Sequence, residues 1–249
     1  MIQVKDVGIR YQDWVLRNIS FDVPTGSVMA ILGPNGRGKS SLLRVMADVA
    51  KPTEGVVDVG GTVSYVPQFM TPGFDMTVKD LVLTGRARQV GWMGEPAKED
   101  HAAASAALER LGITHFASRY LHELSGGQRQ LVMVARALAS GCQAMLLDEP
   151  ASALDFHNQA IMLSVMQDLA ASGMTLIFTT HLPQHALEIA NKSLLLFSET
   201  DYLSGDTETT VTSQALSRLY QLPILRHSIT HDVGVLQTAV PIYRSLVRG

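Results

Sequence analysis

The chain has 249 residues, of which 46% are hydrophobic and 17% charged, and its formal net charge is −3 at pH 7. This composition is typical of a globular protein of one large or two small domains, and the slightly negative charge gives no electrostatic reason to expect binding to nucleic acid. The single cysteine, Cys142, cannot form an internal disulfide, and no apolar run approaches the ~18 residues of a membrane span, so we expect a cytosolic protein that meets a membrane only through partners.

The first part of the chain predicts two strands joined by a polar loop. Residues 2–9 are rich in apolar side chains, and Ile19, Phe21 and Val23 alternate with polar residues, as in a half-buried strand. Tyr11 lies in the loop. Its flat face can stack on a nucleotide base, but an aromatic between two strands is equally typical of ordinary packing, and both alternatives stay open here.

The strongest motif lies between residues 29 and 43. It has the spacing GxxxxGK[ST] of a phosphate-binding loop, placed after an apolar run and before a helical pattern. Glycines let successive backbone N–H groups turn towards a polyphosphate, the lysine supplies a positive charge, and the serine hydroxyl is suited to a magnesium ion. The predicted phosphate-binding residues are Gly33, Pro34, Asn35, Gly36, Arg37, Gly38, Lys39, Ser40 and Ser41.

Two short strands and a glutamine follow this motif. Residues 56–59 and 62–66 flank Gly60 and Gly61, which predicts a hairpin. Gln68 then has an amide oxygen that can ligate magnesium or orient a water molecule, although a lone glutamine in a loop is normally only solvated.

The pattern is helical from residue 69 to residue 139. A capping box at Thr77 precedes one apolar helix face, and residues 102–111 form a second amphipathic helix. Residues 85–96 look like a loop, with the side chains of Trp92 and Met93 exposed. We therefore predict a helical block inserted into a sheet domain, with surface side chains that are also typical of a protein-docking surface.

The helical block ends in a second glycine-rich turn, formed by Ser125, Gly126, Gly127 and Gln128, before a helix over residues 129–139. Amide groups at a helix start, with the helix dipole behind them, are a second place for a phosphate. The alternative is a capped turn that binds no ligand.

Two carboxylates follow the next apolar run. Residues 144–150 predict a central parallel strand whose carboxyl end faces the ligand crevice. At that end Asp148 is suited to hold magnesium through its water shell, and Glu149 is suited to polarise an attacking water molecule. The segment from Ser152 to Asp155 then turns into a helix over residues 156–171.

A further buried strand is predicted over residues 174–179, and His181 follows it, ahead of a helix that starts at Pro183. A lone histidine is more often a structural hydrogen-bonding group. Its place at a strand end in the same crevice nevertheless makes His181 a candidate contact for a γ-phosphate.

The C-terminal part carries little chemical information. Residues 193–197 form the last clear strand, residues 212–222 a helix, and residues 224–249 a mixed tail. His227 and His231 have i, i+4 spacing and can share a metal only if this segment is helical and further ligands join them.

In chain order, these motifs resemble those of the ATP-binding cassette (ABC) ATPases over about residues 2–197. The resemblance identifies residues 33–40 as Walker A, Gln68 as the Q-loop, residues 124–128 as the signature, residues 146–150 as Walker B, residues 152–155 as the D-loop and His181 as the H-loop. It implies adenine stacking on Tyr11, catalytic roles for Glu149, His181 and Gln68, and magnesium contacts from Ser40, Gln68 and Asp148. Arg37 and Ala151 depart from the commoner residues, but neither removes a catalytic group.

The resemblance also implies an architecture and an assembly. We expect an α/β P-loop NTPase fold with a mainly parallel central sheet, an N-terminal antiparallel β subdomain and an inserted helical subdomain. Residues 1–68 and 141–222 would form the nucleotide-binding core, residues 69–140 the helical subdomain and residues 223–249 a tail of one ABC ATPase domain. In a head-to-tail dimer, Ser125, Gly127 and Gln128 of one subunit would complete the site on Lys39 of the other, with ATP and Mg²⁺ between them.

Within the family, the chain resembles the separate ATPase subunit of a bacterial importer, because it has no fused membrane segment and no coiled-coil insertion. Residues 74–86 and 128–131 are similar to the metal-chelate class, which serves iron-siderophore, haem and cobalamin uptake and includes a molybdate and tungstate branch. The implied partners are two transmembrane permease subunits and, indirectly, a periplasmic or extracellular solute-binding protein, with no nucleic acid. The implied location is peripheral, on the cytoplasmic face of the inner (cell) membrane.

Three alternatives stay open at this point. An exporter ATPase would share every motif, because the direction of transport is not encoded in this subunit. A DNA-repair ATPase should show coiled-coil heptads and a basic face. A non-hydrolysing regulatory subunit would lack a working Glu149.

Overall fold

The computed structural model describes residues 1–68, 75–91, 94–232 and 234–243. The expected exposure of Trp92 and Met93 therefore lies outside the described residues, as does Phe74 in one of the class-specific stretches. The strands within these ranges are β1 (Ile2–Arg10), β2 (Trp14–Val23), β3 (Val28–Leu32), β4 (Glu54–Val59), β5 (Val63–Val66), β6 (Ala144–Leu147), β7 (Thr175–Thr180), β8 (Lys192–Leu196), β9 (Tyr202–Asp206), β10 (Ile224–His231) and β11 (Gly234–Pro241).

The α-helices in the same ranges include long core helices and several single turns. They are α1 (Lys39–Met46), α2 (Val78–Leu83), α3 (Ala87–Val90), α4 (Lys98–Arg110), α5 (Gly126–Ala139), α6 (Phe156–Ala171), α7 (Pro183–Ile189), α8 (Thr207–Thr210) and α9 (Ser213–Tyr220). None of these described helices combines the length and the apolar character that crossing a bilayer requires.

A central sheet positions the site. In the described part of the chain its strand order is β5-β6-β7-β3-β8-β9, with parallel pairing except between β8 and the edge strand β9. Every residue of β3, β6 and β7 is buried, because both faces of the sheet are covered. This burial explains the continuous apolar runs, and the expected α/β class with a mainly parallel sheet is confirmed.

The two faces of the sheet carry different layers. Met29 and Ile31 of β3 pack with α1 and with the N-terminal antiparallel sheet, whose order is β2-β1-β4. Val28, Ala30 and Leu32, which alternate with them, pack on the opposite side with the helical layer. The short loop after β3 consequently emerges between the two layers, at the carboxyl end of the sheet.

The helical block is formed by α2, α4 and α5, which pack on one another and share the core of the helical layer. The predicted capping box is present: the Asp80 N–H donates to Thr77 Oγ1 at 3.2 Å, and α2 starts there. The predicted loop over residues 85–96 is wrong at its start, because a 3₁₀ turn at Thr84–Arg86 and α3 continue the helical path. Arg86, which donates to Asp100 Oδ1 at 2.9 Å, ties this path to α4.

The predicted hairpin at Gly60 and Gly61 is wrong. Strand β4 pairs antiparallel with β1, whereas β5 pairs parallel with β6, so the two glycines connect two different sheets. The local pattern of two short apolar runs around a glycine pair is the same in both cases. Only the distant strands β1 and β6 decide between them.

The C-terminal segment is more ordered than its sequence pattern indicates. Strand β9 follows the predicted last strand, and β10 and β11 form an antiparallel hairpin whose register runs from Ile224 opposite Pro241 to His231 opposite Gly234. His227 and His231 therefore lie on a strand rather than on a helix. Among the described residues no group of three or more His, Cys, Asp or Glu side chains is arranged to hold a metal ion.

Candidate active site

The phosphate-binding loop joins β3 to α1 and is shaped by glycines. Gly36 and Gly38 have φ angles of 79° and 83°, a region that disfavours residues with a Cβ. A Cβ on Gly38 would also lie 2.7 Å from Val15 Cγ1. Gly38 is the N-cap of α1 and provides no side-chain cap, so the first N–H groups of the helix remain available for an anion.

Lys39 is folded back into this loop. It is 5% exposed, and its Nζ donates to the carbonyl oxygens of Gly33 at 2.8 Å and Pro34 at 3.2 Å. The same Nζ lies 3.4 Å from Oε1 of Glu149. The ammonium group is thus held at the centre of the loop, where a polyphosphate would need a positive charge.

Asp148 is the centre of a buried hydrogen-bond network at the end of β6. Its Oδ1 accepts from the hydroxyls of Ser40 at 2.8 Å and Thr179 at 2.7 Å, and its Oδ2 accepts from Tyr65 at 3.1 Å. Thr179 also accepts the N–H of Glu149 at 2.8 Å. One threonine on β7 therefore fixes both neighbouring carboxylate residues.

The carboxylate of Glu149 is surrounded by three predicted site residues. Besides Lys39, Gln68 Nε2 donates to its Oε2 at 3.3 Å, and His181 Nδ1 lies 3.2 Å from the same oxygen. The backbone of Glu149 has φ 45°, which is unfavourable for a residue with a side chain and is stabilised by the bond to Thr179. The predicted catalytic residues are thus brought into direct contact.

One pocket of ≈ 450 Å³, a volume typical of small-molecule sites, is lined by Lys39, Ser40, Gln68 and Glu149, whereas Asp148 and His181 are not part of its wall. The wall consists of Tyr11, Val15, Asn35, Gly36, Arg37, Gly38, Lys39, Ser40, Ser41, Gln68 and Glu149. Tyr11 is 65% exposed at the rim, and its hydroxyl donates to Ser41 Oγ at 3.3 Å. Its ring is therefore held beside the phosphate loop and is largely exposed to solvent, which supports the stacking alternative over ordinary packing.

The second glycine-rich turn lies elsewhere. None of Ser125, Gly126, Gly127 and Gln128, all of which the structure describes, contributes to the wall of this pocket. Ser125 caps α5 by accepting the Gln128 N–H at 3.3 Å, while Gln128 Oε1 accepts the Ser125 N–H at 2.9 Å. The turn is exposed at Ser125 and Gly126 and satisfies part of its own hydrogen-bonding capacity.

The D-loop connects the pocket to this second turn. Ser152 Oγ donates to the Glu149 carbonyl oxygen at 3.1 Å. Asp155 caps α6 and holds Asn158 through the backbone N–H at 2.8 Å and the side-chain amide at 2.9 Å and 3.0 Å. A Cβ on Gly127 would lie 2.9 Å from Asn158 Cγ, so the turn and α6 are in close contact.

The oxygen atoms around Asp148 are suited to bind a magnesium ion. This ion takes hard oxygen ligands, usually one or two carboxylates together with substrate phosphates and water. The Ser40 hydroxyl and the Asp148 carboxylate, which are 2.8 Å apart, and the Gln68 side-chain amide provide such a set beside the phosphate loop. The residues present thus fit the ion that the sequence predicts.

Sequence reasoning missed Thr179 and Tyr65. Two consecutive threonines at the end of the buried strand β7 were a usable signal, because buried hydroxyls need partners. Tyr65 offered no such signal, since its contact with Asp148 joins residues 83 positions apart. Burial raises the pKa of Tyr65, the nearby Asp148 raises it further, and its phenol stays a donor to the carboxylate.

Comparison with known proteins extends these observations to a family. The sequence model of the family described as ABC transporter matches residues 16–152. The molybdate import ATP-binding protein MolC of Haemophilus influenzae is 40% identical over 250 residues, which cover 99% of this chain and 98% of the relative. A probable iron chelatin transport ATP-binding protein of Helicobacter pylori (strain 26695) is 31% identical and covers 93% of this chain and 96% of its own length.

The fold is also similar to that of solved structures that are described as parts of ABC transporters. A chain described as belonging to a metal-chelate type ABC transporter in an inward-facing conformation superposes with a TM-score of 0.94 at 40% identity, and the match covers 98% of both chains. The ADP conformation of an ATP-binding cassette of another ABC transporter, at 22% identity and TM-score 0.79, shares the fold.

Proposed function

The chain belongs to the ABC transporter family, and from this premise we propose that it is the ATP-hydrolysing subunit of a binding-protein-dependent importer for a metal chelate or an oxyanion such as molybdate. It is an ABC ATPase by family and by fold. The observation that carries the proposal is the contact of Glu149 with Lys39, Gln68 and His181 beside the phosphate loop.

The proposed chemistry is attack of water on the γ-phosphorus of ATP, with cleavage of the bond to the ADP oxygen. Glu149 polarises the water and accepts its proton, while Lys39 and the N–H groups of α1 stabilise the charge on the phosphate oxygens. Gln68 and His181 orient Glu149 and the γ-phosphate. Tyr11 stacks on the adenine.

Ser40, Asp148 and Gln68 would hold magnesium, which, when bound, neutralises charge on the β- and γ-phosphates. Thr179 and Tyr65 orient the Asp148 carboxylate towards that position through their hydroxyl donors. Asn35, Gly36 and Arg37 at the exposed rim would close over the phosphates from the outer side.

The functional unit we propose is a head-to-tail dimer. The turn of Ser125, Gly126, Gly127 and Gln128 is not part of the pocket wall of its own chain, and we propose that it contacts the nucleotide of a second copy. Ser152 and Asp155 would lie between the two sites. Hydrolysis removes the shared phosphate contact and lets the copies separate.

Coupling to transport would run through the helical block. We propose that residues 69–140 move relative to the core of residues 1–68 and 141–222, and that two transmembrane permeases with a periplasmic or extracellular solute-binding protein complete the system. The chain would then bind peripherally at the cytoplasmic face of the membrane. The names of the relatives, which mention molybdate and iron chelatin, favour an importer over an exporter.

The experiment that tests the catalytic proposal is the substitution Glu149→Gln, which keeps the shape and removes the charge. We expect ATP binding to persist, phosphate release to fall by at least 100-fold and dimers to accumulate with ATP in size-exclusion chromatography. Glu54→Gln, at an exposed glutamate on β4, is the control. Wild-type phosphate release from the Glu149→Gln protein would contradict the proposal.

The substrate class needs a separate experiment. The chain is co-purified with the two proposed permeases and reconstituted with them in lipid vesicles. ATPase activity is then measured with the solute-binding protein loaded with molybdate, tungstate or a ferric siderophore. Stimulation by one of these ligands, and uptake of it into vesicles, would identify the substrate. Efflux without a binding protein would instead identify an exporter.

A further inference from the structure

Tyr220 is the last residue of α9 and contacts the active site from outside the family match of residues 16–152. Its hydroxyl donates to the backbone carbonyl oxygen of His181 at 2.9 Å, across 39 residues of chain. Tyr220 is not part of the pocket wall described above. It reaches the backbone of the histidine that contacts Glu149.

His181 follows directly after β7, where the sheet no longer supplies hydrogen-bond partners for its backbone. Thr180 fixes one side of this turn, because its Oγ1 accepts the N–H of Leu182 at 3.0 Å. The hydroxyl of Tyr220 satisfies the carbonyl of His181 itself. The backbone is thereby held on both sides, while the imidazole reaches Oε2 of Glu149 at 3.2 Å.

We propose that Tyr220 is a positioning residue for ATP hydrolysis: its hydroxyl holds the His181 backbone so that the imidazole stays in register with Glu149. This inference rests on the proposed function, because it requires that His181 and Glu149 act on ATP. Tyr220 touches neither the nucleotide nor the reacting atoms and acts through His181.

The phenol is suited to remain a donor. Burial raises the pKa of Tyr220 well above its usual range, and the negative charge of Glu149 raises it further. The hydroxyl therefore keeps its proton at neutral pH. A carbonyl left without this donor in a partly buried turn would move towards another partner.

The position of Tyr220 has its own support. Ser217 Oγ, one turn earlier on α9, accepts the N–H of Ile224 at 2.8 Å at the start of the C-terminal hairpin. The hairpin is joined to α7 by Gln184, whose Nε2 donates to the Gln237 carbonyl oxygen at 2.9 Å. Helix α9, the β10–β11 hairpin and the start of α7 after His181 are therefore linked by hydrogen bonds, and together they support the position of the Tyr220 hydroxyl.

The test is Tyr220→Phe, which removes only the hydroxyl. A misplacement of about 1 Å can cost ~100-fold in rate, so we expect kcat for ATP to fall about tenfold while KM changes less than twofold. The matched control is Tyr202→Phe. The hydroxyl of Tyr202 also bonds backbone, donating to the Ser20 carbonyl oxygen at 3.1 Å, but it supports β2 rather than the turn after β7, and we expect wild-type kcat.

A double-mutant cycle separates positioning from general loosening of the fold. If Tyr220 acts through His181, Tyr220→Phe should change kcat less than twofold in a His181→Ala background. Melting temperatures measured for each variant check that all are folded. Nucleotide binding, measured with a fluorescent ATP analogue, should be unchanged in Tyr220→Phe.

Three results would overturn the inference: wild-type kcat in Tyr220→Phe, an equal loss from Tyr220→Phe with and without His181, or wild-type kcat in His181→Ala. The proposed function is judged independently, by phosphate release from the wild-type protein and its loss in Glu149→Gln. If both of those hold and Tyr220→Phe is silent, only the role of Tyr220 is removed.

Discussion

The molecule has two glycine-rich turns at helix starts, and they differ in what their N–H groups do. At the phosphate loop the N-cap Gly38 has φ 83° and offers no side-chain cap, so the first N–H groups of α1 stay uncapped by a side chain beside the pocket. At the second turn Ser125 and Gln128 cap each other with bonds of 3.3 Å and 2.9 Å. The first turn is an open anion site, and the second is partly closed by its own side chains.

Burial follows the same division. Lys39 is 5% exposed and lies among Gly33, Pro34 and Glu149, whereas Ser125 and Gly126 are exposed to solvent. Both turns have the helix dipole that favours a phosphate. In the proposed dimer, one chain supplies a complete phosphate cradle, and its second turn is a half-site that would act on the nucleotide of a second copy.

The largest effect is expected from removing the positive charge of the open turn. Lys39→Ala should weaken ATP binding by about 100-fold, because a charge-assisted hydrogen bond contributes ~3 kcal/mol. Equilibrium dialysis with labelled ATP measures the change. Lys51→Ala, at an exposed lysine that pairs with Asp48, is the control and should bind as the wild type does. Unchanged affinity in Lys39→Ala would remove the distinction between the two turns.

A charge at the second turn should act on turnover and leave binding intact. A Cβ on Gly126 meets nothing within 4 Å, so Gly126→Asp is expected to fold and to bind ATP normally. Its carboxylate would repel the phosphate groups of the nucleotide that is bound to the partner copy, and we expect kcat to fall at least tenfold. Gly126→Ala, which adds the Cβ without the charge, should stay within twofold. Equal losses in both variants would contradict the half-site.

A smaller effect distinguishes capping from catalysis. Ser125→Ala removes the N-cap of α5 and should cost about 1 kcal/mol, or about 2–4 °C in melting temperature. Thr77→Ala removes the equivalent cap of α2, where the Asp80 N–H donates to Thr77 at 3.2 Å. Both variants should melt earlier, but only Ser125→Ala should also lower kcat. Parallel calorimetry and phosphate-release assays measure the two quantities.

The sequence pattern was sufficient where chemistry requires consecutive residues. The phosphate loop, the two carboxylates after β6 and the capped turn before α5 are local, and their order along the chain predicted the family and the α/β fold, both of which are confirmed. Each of these motifs sets the conformation of its own backbone through residues that are close together in the chain. No long-range information is needed to recognise it.

Long-range pairing explains what the sequence pattern did not reveal. The glycine pair at Gly60 and Gly61 looks like a hairpin, yet the partners of its flanking strands are β1 and β6. The contacts of Thr179 and Tyr220 with site residues span 31 and 39 positions. A single sequence shows residue types but not these partners, so the supporting residues of the site appear only in the fold.

The smallest expected effect concerns the contact between the second turn and α6. Asn158 donates hydrogen bonds to Asp155, and the bond from its backbone N–H has the largest effect on the Asp155 pKa. These bonds lower that pKa below its usual value, so the charged form stabilises the folded state. That stabilisation is present above the unfolded pKa of about 3.9 and is lost as the pH falls through the lower folded pKa. Asp155→Asn should therefore melt slightly earlier than the wild type at pH 7, and the gap should narrow as the pH falls below about 4. Asp155→Ser, another neutral cap, should behave alike, and a gap that does not narrow in acid would show that the Asp155 charge does not support this contact.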